Sequence, residues 1–426
     1  MSMDDAVTVI VGAGAVLDFE HKGFPPTVKG ITEEVLKIPV QKVDGEERLL
    51  LKELCESIID RLKMIGNPEA RRFLHPEVSF EEILHVLEMC LTYSICWHEE
   101  YLDWRSFPLF GALTTPKSFL KSIDTIEYLR AAYSLEEKVM EIVNQYDSTF
   151  RENPHSEEWY RTFWRSIGRM NVFSLNYDST IEESLDFYED GFGTSSEIDD
   201  YFRFSAKEYY ENPDGKTTIA HLHGSILFSE PKAFPFEYSN RDLVKNQDYE
   251  TAYQNRLWAQ VAPQTQAKEL YVQPYLISGS RKTEKMVCTP YNVYLSDLTR
   301  QVIKNRRLLI IGYSFGDLYL NDILGLGIAA HGDDFRVVII DKFTSHIEGY
   351  PSLFQQLQCR PRMSDFVSRL TKERLSIEPG QRVFPLILKD NDTPIVSKNE
   401  QLMMCIEGFK DAVLKHDDAI RKHLQL

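Results

Sequence analysis

The sequence predicts an α/β protein: a Rossmann-like, open parallel sheet carrying a large helical insertion. Three observations lead there. A β-branched apolar run, Val7 to Val11, enters the glycine turn Gly12-Ala13-Gly14. Later apolar runs also end in polar or glycine-rich turns. Between the first run and the next, apolar residues recur at helical spacing instead.

The first run reads VTVIV. Continuous β-branched residues suit a parallel strand buried on both faces. A strand that enters a glycine turn is how a Rossmann-type βα unit begins. Residues 45–169 then read as a helical insertion. Leu49, Leu50, Leu54, Ile58, Leu62 and Ile65 share one helical face. A second helix starts at Ser79, with Glu82 three residues on as a capping box. Its apolar face holds Phe80, Ile83, Leu84, Leu87 and Leu91. Further helices are expected over 117–131, 135–146 and 156–169.

Strand character returns at Asn171–Leu175, at Thr217–Leu222 behind the turn Asn212-Pro213-Asp214-Gly215, at Arg307–Ile311 and at Val337–Ile340. Such a sheet binds its ligand at the strand carboxyl ends. Residues 230–275 are polar and aromatic with weak periodicity. Near the end, Arg382–Lys389 reads as a strand and Glu400–Leu424 as an amphipathic helix. The expected organisation is a catalytic domain over 1–380 and a strand-helix tail over 381–426 that serves assembly.

Composition narrows the function. Apolar residues make up 43% and charged residues 27%, the balance of a soluble globular protein and not a disordered one. The chain has 48 Lys+Arg against 65 Asp+Glu, a net charge of −17. That excess argues against nucleic acid or an anionic membrane as a surface-wide partner. A local basic pocket around bound phosphates is the expected exception. The N-terminus MSMDD carries acids where a signal peptide needs bases, and no apolar run nears the ~18 residues of a membrane helix. Cys55, Cys90, Cys96, Cys288, Cys359 and Cys405 are scattered without a CxxC pair. They read as reduced thiols in a cytoplasm, with no zinc ribbon and no metal.

Candidate site residues lie just past the strands. Gly12 and Gly14 let backbone approach a phosphate, with helix N–H groups behind them; a tight turn without a ligand would use the same residues. Asn176 can both donate to and accept from a sugar hydroxyl or a water. Asp178 can stabilise a developing cation; both residues also suit local turn bonds. His223 can act as a base, since imidazole titrates near neutrality. In an extended segment His221 faces the same side, and a metal pair or two structural histidines are alternatives. Of the two, His221 is the more structural. Ser314 in Gly312-Tyr313-Ser314-Phe315-Gly316-Asp317 can hold phosphate or ribose, and Asp341 can accept from ribose or adenine or cap a helix.

Taken in order, Gly12-Ala13-Gly14, Leu175-Asn176-Tyr177-Asp178, Leu222-His223-Gly224 and Gly312-Tyr313-Ser314 resemble the GAG, Q-N-I-D, L-H-G and G-T-S motifs of the sirtuin family. Gly23-Phe24-Pro25-Pro26 echoes part of a further sirtuin segment, G-I-P-D-F-R. The chain departs from the family at Val16, where sirtuins have serine, and in lacking the paired CxxC ribbon. It is similar to the divergent sirtuin-like branch of prokaryotic antiphage defence proteins, and in layout to the sirtuin-like subunit that partners a HerA-type hexameric ATPase.

That resemblance implies hydrolysis of NAD to ADP-ribose and nicotinamide, as the effector of a bacterial abortive-infection system. NAD would be substrate, with no other cofactor. The chain would form a homo-oligomer, with the ATPase as partner. Asn176, Asp178 and His223 would be catalytic. Gly12, Ala13, Gly14, Pro25, Gly312, Ser314 and Asp341 would bind the dinucleotide. Rival readings are an NAD-dependent deacylase or ADP-ribosyltransferase, and a module that only senses NAD or ADP-ribose. A DNA-processing role would rest on Lys304-Asn305-Arg306-Arg307, which reads more simply as a solvated helix end.

Overall fold

A computed structural model describes residues 6–20, 27–42, 44–65, 78–95, 125–195, 201–212, 215–231, 242–261, 275–278, 282–343, 360–372 and 394–426. The strands are β1 (Val7–Val11), β2 (Val40–Gln41), β3 (Glu47–Arg48), β4 (Met170–Ser174), β5 (Tyr188–Glu189), β6 (Thr194–Ser195), β7 (Tyr201–Arg203), β8 (Thr217–His221), β9 (Phe228–Ser229), β10 (Val244–Asn246), β11 (Arg307–Ile311), β12 (Arg336–Ile340), β13 (Ile395–Val396) and β14 (Leu402–Cys405). The longer helices include α1 (Val28–Val35), α2 (Leu50–Ile65), α3 (Phe80–Ile95), α4 (Thr125–Glu152), α5 (Glu158–Ser166), α6 (Tyr249–Val261), α7 (Tyr291–Lys304), α8 (Leu318–His331), α9 (Pro361–Thr371) and α10 (Phe409–Leu424).

Eight strands form the central sheet in the order β13-β14-β12-β11-β1-β4-β8-β5. All neighbours run parallel except β13 against β14. The fold is therefore the expected Rossmann-type α/β architecture. From β1 the chain moves outward through β4 to β8. It then crosses back to β11 and continues outward through β12 on the other side. The order reverses between β1 and β11, and ligands of open α/β sheets bind at such a switch point. The inner strands are largely apolar because helices cover both faces; every residue of β1, β4 and β11 is buried.

Among the described residues the stretch between β3 and β4 is helical. In α2, Leu50 and Leu54 are buried, while Leu49 lies before the helix and is exposed. The capping box of α3 forms: the Ser79 N–H donates to Glu82 Oε2 at 2.8 Å, and the Glu82 N–H donates to Ser79 Oγ at 3.3 Å. Two helices expected over 117–131 and 135–146 are one continuous helix from Thr125, because no Gly or Pro interrupts α4. Residues 117–124 lie outside the described residues.

The C-terminal segment departs from expectation. Leu402–Cys405 is a strand, not the first turn of a helix. It is a fully buried run that pairs between β12 and β13. Gly408, at φ +105°, then starts α10. The tail thus completes the sheet. Arg382–Lys389 lies outside the described residues. Phe409 at the head of α10 packs edge-on against Phe163 of α5 at 4.9 Å and Trp159 at 5.3 Å. Phe19, just past β1, stacks on Phe150 of α4 at 5.4 Å. This aromatic cluster ties the insertion, the first turn and the tail into one core.

Candidate active site

A cleft of about 540 Å³ opens where β12, β11, β1, β4 and β8 end side by side. That size lies within the ~300–1,000 Å³ of cofactor and substrate sites. Asp341, Gly312, Gly12, Asn176 and His223 face it, one from each strand end in turn. The start of α3 and Tyr146 of α4 form a further wall.

Two glycine turns pack against each other to make the floor. A Cβ on Gly12 would lie 2.6 Å from the Gly312 carbonyl oxygen, and one on Gly14 would lie 2.6 Å from Gly312 Cα. The Gly14 N–H donates to the Gly312 carbonyl at 3.0 Å. These glycines therefore serve backbone contact with each other first. The helix expected behind them is a single 3-10 turn, Ala13–Val16, and α1 begins only at Val28. A helix dipole at the glycine turn is accordingly small, because the effect comes from aligned peptides over several turns.

Asn176 is buried at the mouth of β4. Its Nδ2 donates to the Gly12 carbonyl at 3.2 Å, and its own N–H donates to Ser174 Oγ at 3.1 Å. Asp178 is also buried, and both its oxygens are engaged. Oδ2 accepts from the Tyr146 hydroxyl, and Oδ1 accepts from the Thr180 N–H at 3.1 Å. Burial first, and the Asp178 charge second, push the Tyr146 phenol well above its usual range.

His221 and His223 have different partners. β8 ends at His221, so strand alternation no longer relates them. The His221 ring faces Glu182 Oε1 at 2.6 Å and the Asn176 carbonyl at 3.1 Å. His223 Nε2 lies 3.4 Å from Asp317 Oδ2. That is ion-pair distance without hydrogen-bond alignment, and this buried nitrogen has no hydrogen-bond partner among the described residues. Burial pushes the Asp317 carboxyl up. The facing His223 and the Leu320 N–H outweigh it and hold the group at about 2. Behind His223, Gly224 sits at φ +106°, where a Cβ would lie 2.0 Å from the Tyr275 carbonyl. The Ile277 N–H donates to the His223 carbonyl at 2.7 Å, so the closely apposed segment 275–278 fixes the histidine's backbone.

The loop from Gly312 to Asp317 is strained and well held. Gly312 and Phe315 both have left-handed backbone, at φ +60° and +58°. Such a conformation in phenylalanine costs of order 1–3 kcal/mol. Its fully buried ring offsets that cost, stacked 5.0 Å from Tyr313 and tilted against Phe366 at 5.4 Å. The loop exposes Ser314 and ends at Asp317, whose Oδ1 caps α8 by accepting from the Tyr319 and Leu320 N–H groups.

Among the described residues Asp341 caps no helix. Its carboxylate pairs with Arg360, and Arg360 also lies over the Phe343 ring at 4.5 Å. The expected basic pocket is absent among the described residues. Each cation lining the cleft faces an acid: Lys342 pairs with Asp18 at 2.6 Å, Arg360 with Asp341, and Lys282 with Glu81 at 3.6 Å. Pro25 lies outside the described residues. Among those residues no cluster of three or more His, Cys, Asp or Glu could hold a metal ion, and no helix is long and apolar enough to cross a membrane. Asp317, Tyr146, Lys282 and Arg360 were not among the sequence candidates. For Asp317 a signal existed, an aspartate directly ahead of the apolar run LYL.

Residues 170–345 match the SIR2-like domain. The match spans β4 to β12 and contains Asn176, Asp178, His223, Ser314, Asp317 and Asp341. It leaves out the first glycine turn, the helical insertion and the C-terminal strand and helix. SIR2-like domains use NAD as substrate, and the family includes NAD-processing enzymes. No curated protein matches the chain.

Proposed function

We propose that the protein hydrolyses the nicotinamide–ribose bond of NAD, giving ADP-ribose and nicotinamide. The observation that carries this reading is His223 in the cleft that also holds Asn176, with its buried Nε2 facing the Asp317 carboxylate at 3.4 Å. A carboxylate beside one ring nitrogen keeps the proton there and leaves the other nitrogen as base.

Nicotinamide leaves as a neutral molecule with the bonding electron pair, so no strong acid is needed. The barrier is positive charge on the ribose, and fixed dipoles aimed at that charge lower it. In this reading Asn176, held by Gly12, orients the ribose and the attacking water. The water oxygen bonds to the ribose carbon, and His223 takes the water's proton. Asp178 acts through Tyr146 and Thr180 to hold this end of the cleft. Gly12, Ala13, Gly14 and Gly312 form the surface for the pyrophosphate, with Ser314 and Asp341 on the adenosine side. The similarity to antiphage proteins extends the proposal to a defence effector that assembles as a homo-oligomer with a hexameric ATPase.

The test is incubation of purified protein with NAD, with and without candidate ATPase, followed by chromatography. ADP-ribose and nicotinamide should appear in equal amounts. His223→Ala should reduce the rate ~10²–10⁴-fold, the usual cost of losing a general base; an unchanged rate in the folded variant would refute the assignment. One observation favours a second reading, transfer of ADP-ribose to an acceptor. A second cleft of about 960 Å³, flanked by Met286, Val287, Leu318 and Tyr319, shares Lys282, Gly316 and Asp317 with the first. Mass spectrometry separates the two, since free ADP-ribose marks hydrolysis.

A further inference from the structure

We infer that His221 and Glu182 are positioning residues for Asn176, and that they act through its backbone carbonyl. This inference rests on the role given to Asn176 in NAD hydrolysis. Both residues are buried, and neither is needed to build a βα turn. His221 Nδ1 meets the Asn176 carbonyl oxygen at 3.1 Å, and Nε2 meets Glu182 Oε1 at 2.6 Å. A carbonyl oxygen only accepts, so Nδ1 carries a proton. A carboxylate also accepts, so Nε2 carries one too. The ring is therefore an imidazolium paired with a carboxylate.

The surrounding charges agree. Burial pushes the His221 imidazole down, but the Glu182 charge and hydrogen bond overcome it and hold the group above its ordinary value. Burial pushes the Glu182 carboxyl up, and His221 brings it below its ordinary value. Lys245 of β10 is the other charge near this pair. It is held by Asp190 Oδ2 at 2.5 Å and by the Tyr188 hydroxyl at 3.3 Å. The Phe228 ring closes another side, 6.0 Å from the imidazole.

The geometric consequence falls on Asn176. Its carbonyl is held by His221, its N–H by Ser174, and one Nδ2 hydrogen by Gly12. Its Oδ1 and second Nδ2 hydrogen are the polar groups left for a ligand. A fixed backbone gives that amide one orientation before any ligand arrives, which is what transition-state stabilisation requires. The linkage has a defined sign. The raised His221 value contributes stability below about 6.5 that is lost as pH rises through the folded value. The lowered Glu182 value contributes stability above 4.5 that is lost as pH falls through the folded value. The link from Asn176 to Glu182 is therefore intact between the two.

Removing one partner alone strands a buried charge and risks unfolding. The decisive variant is the double replacement His221→Leu with Glu182→Met, compared with His221→Asn in the same Glu182→Met background, whose amide can still donate where Nδ1 did. Each is measured for melting temperature, for kcat and KM on NAD, and for hydrogen exchange of the peptide spanning residues 174–180. In the folded double variant kcat should fall ~10–100-fold, with KM within about twofold and faster exchange in that peptide. His221→Asn with Glu182→Met should recover most of both. Unchanged kcat together with unchanged exchange overturns the inference. If the wild-type protein leaves NAD intact, the hydrolase reading falls, and the exchange result decides the positioning role alone: faster exchange supports it and unchanged exchange overturns it.

Discussion

Replacing Gly312 by alanine tests whether the cleft floor is built by contact between two turns. The position carries two separate constraints. Its φ of +60° is left-handed, which costs an alanine roughly 1–2 kcal/mol. Its Cβ would also lie 2.4 Å from Ala15 N, Gly14 C and Gly14 Cα. All three are backbone atoms, and backbone bonds hold both turns in place. The Gly312 N–H donates to the Ile340 carbonyl at 2.8 Å, and the Gly12 N–H donates to the Ile311 carbonyl at 2.9 Å. Relief of the overlap must move one turn, at roughly 1–3 kcal/mol for overpacking a close-packed site. Together the cost is about 2–5 kcal/mol, a large share of the ~5–15 kcal/mol by which domains are stable.

Gly332 supplies the control. It has a similar φ of +53° but nothing within 4 Å of its Cβ position. Gly332→Ala should therefore show only the conformational cost. Urea unfolding followed by circular dichroism gives both free energies. Gly312→Ala should exceed Gly332→Ala by about 1–3 kcal/mol. NAD binding, measured by calorimetry, should weaken at least ~10-fold in Gly312→Ala alone, which corresponds to ~1.4 kcal/mol. Equal destabilisation in the two variants, with NAD binding retained in both, would refute the interlocked floor.

Other changes probe the walls. Asp317→Asn keeps a side chain able to cap α8 but removes the charge facing His223, so kcat should fall ~10²-fold or more and the variant should melt below wild type at neutral pH, where the lowered carboxyl contributes to stability. Because the Asp317 carboxyl is held down at about 2 against an ordinary 3.8, its contribution is present above 3.8 and lost as pH falls through about 2. The stability gap between wild type and Asp317→Asn should close over that interval in acid titrations. Lys285→Met removes a fully buried ammonium that donates to the Leu276 and Ser278 carbonyls, each at 3.1 Å, and pairs with Glu88 at 2.7 Å. Burial pushes the neighbouring Glu136 up to about 8, so near pH 7 this lysine balances Glu88. Its loss should cost ~3–5 kcal/mol in denaturant unfolding, and kcat should fall with it, because residues 275–278 back His223.

The strands that could be read from the sequence are those buried on both faces. VTVIV, RLLII and VVII are continuous apolar runs because helices cover each side of the parallel sheet. β14 was not legible for a related reason: LMMC has no β-branched residue, and four apolar residues fit a helix as well as a strand. β5 and β13 contain two residues each, too short for any period to show. The turns after the strands marked residues that line the cleft, since a strand end fixes position along the sheet. Partnerships were hidden because they link residues far apart in the chain. Nothing near Gly12 specifies Gly312, nothing near His223 specifies Asp317, and Glu182 reads as a surface acid until β8 brings His221 beside it.

The extent of the domain match adds a further constraint on how the cleft works. Residues 170–345 supply Asn176, His223 and Asp317, but only half of the glycine floor. The other half is Gly12 and Gly14, carried on the central strand of the sheet. The Tyr146 hydroxyl that engages Asp178 comes from α4, and two acids that face Lys285 come from α3 and α4. Lys285 in turn holds the segment that backs His223. Two chains of contacts therefore run from the helical insertion to the candidate catalytic residues, one through Asp178 and one through the Leu276 and Ser278 carbonyls. A displacement of α3 against α4 would reach both. The insertion is thus placed to set the geometry of the cleft as well as to enlarge the surface, and a partner that binds those helices would act on Asp178 and on the segment behind His223 through these bonds.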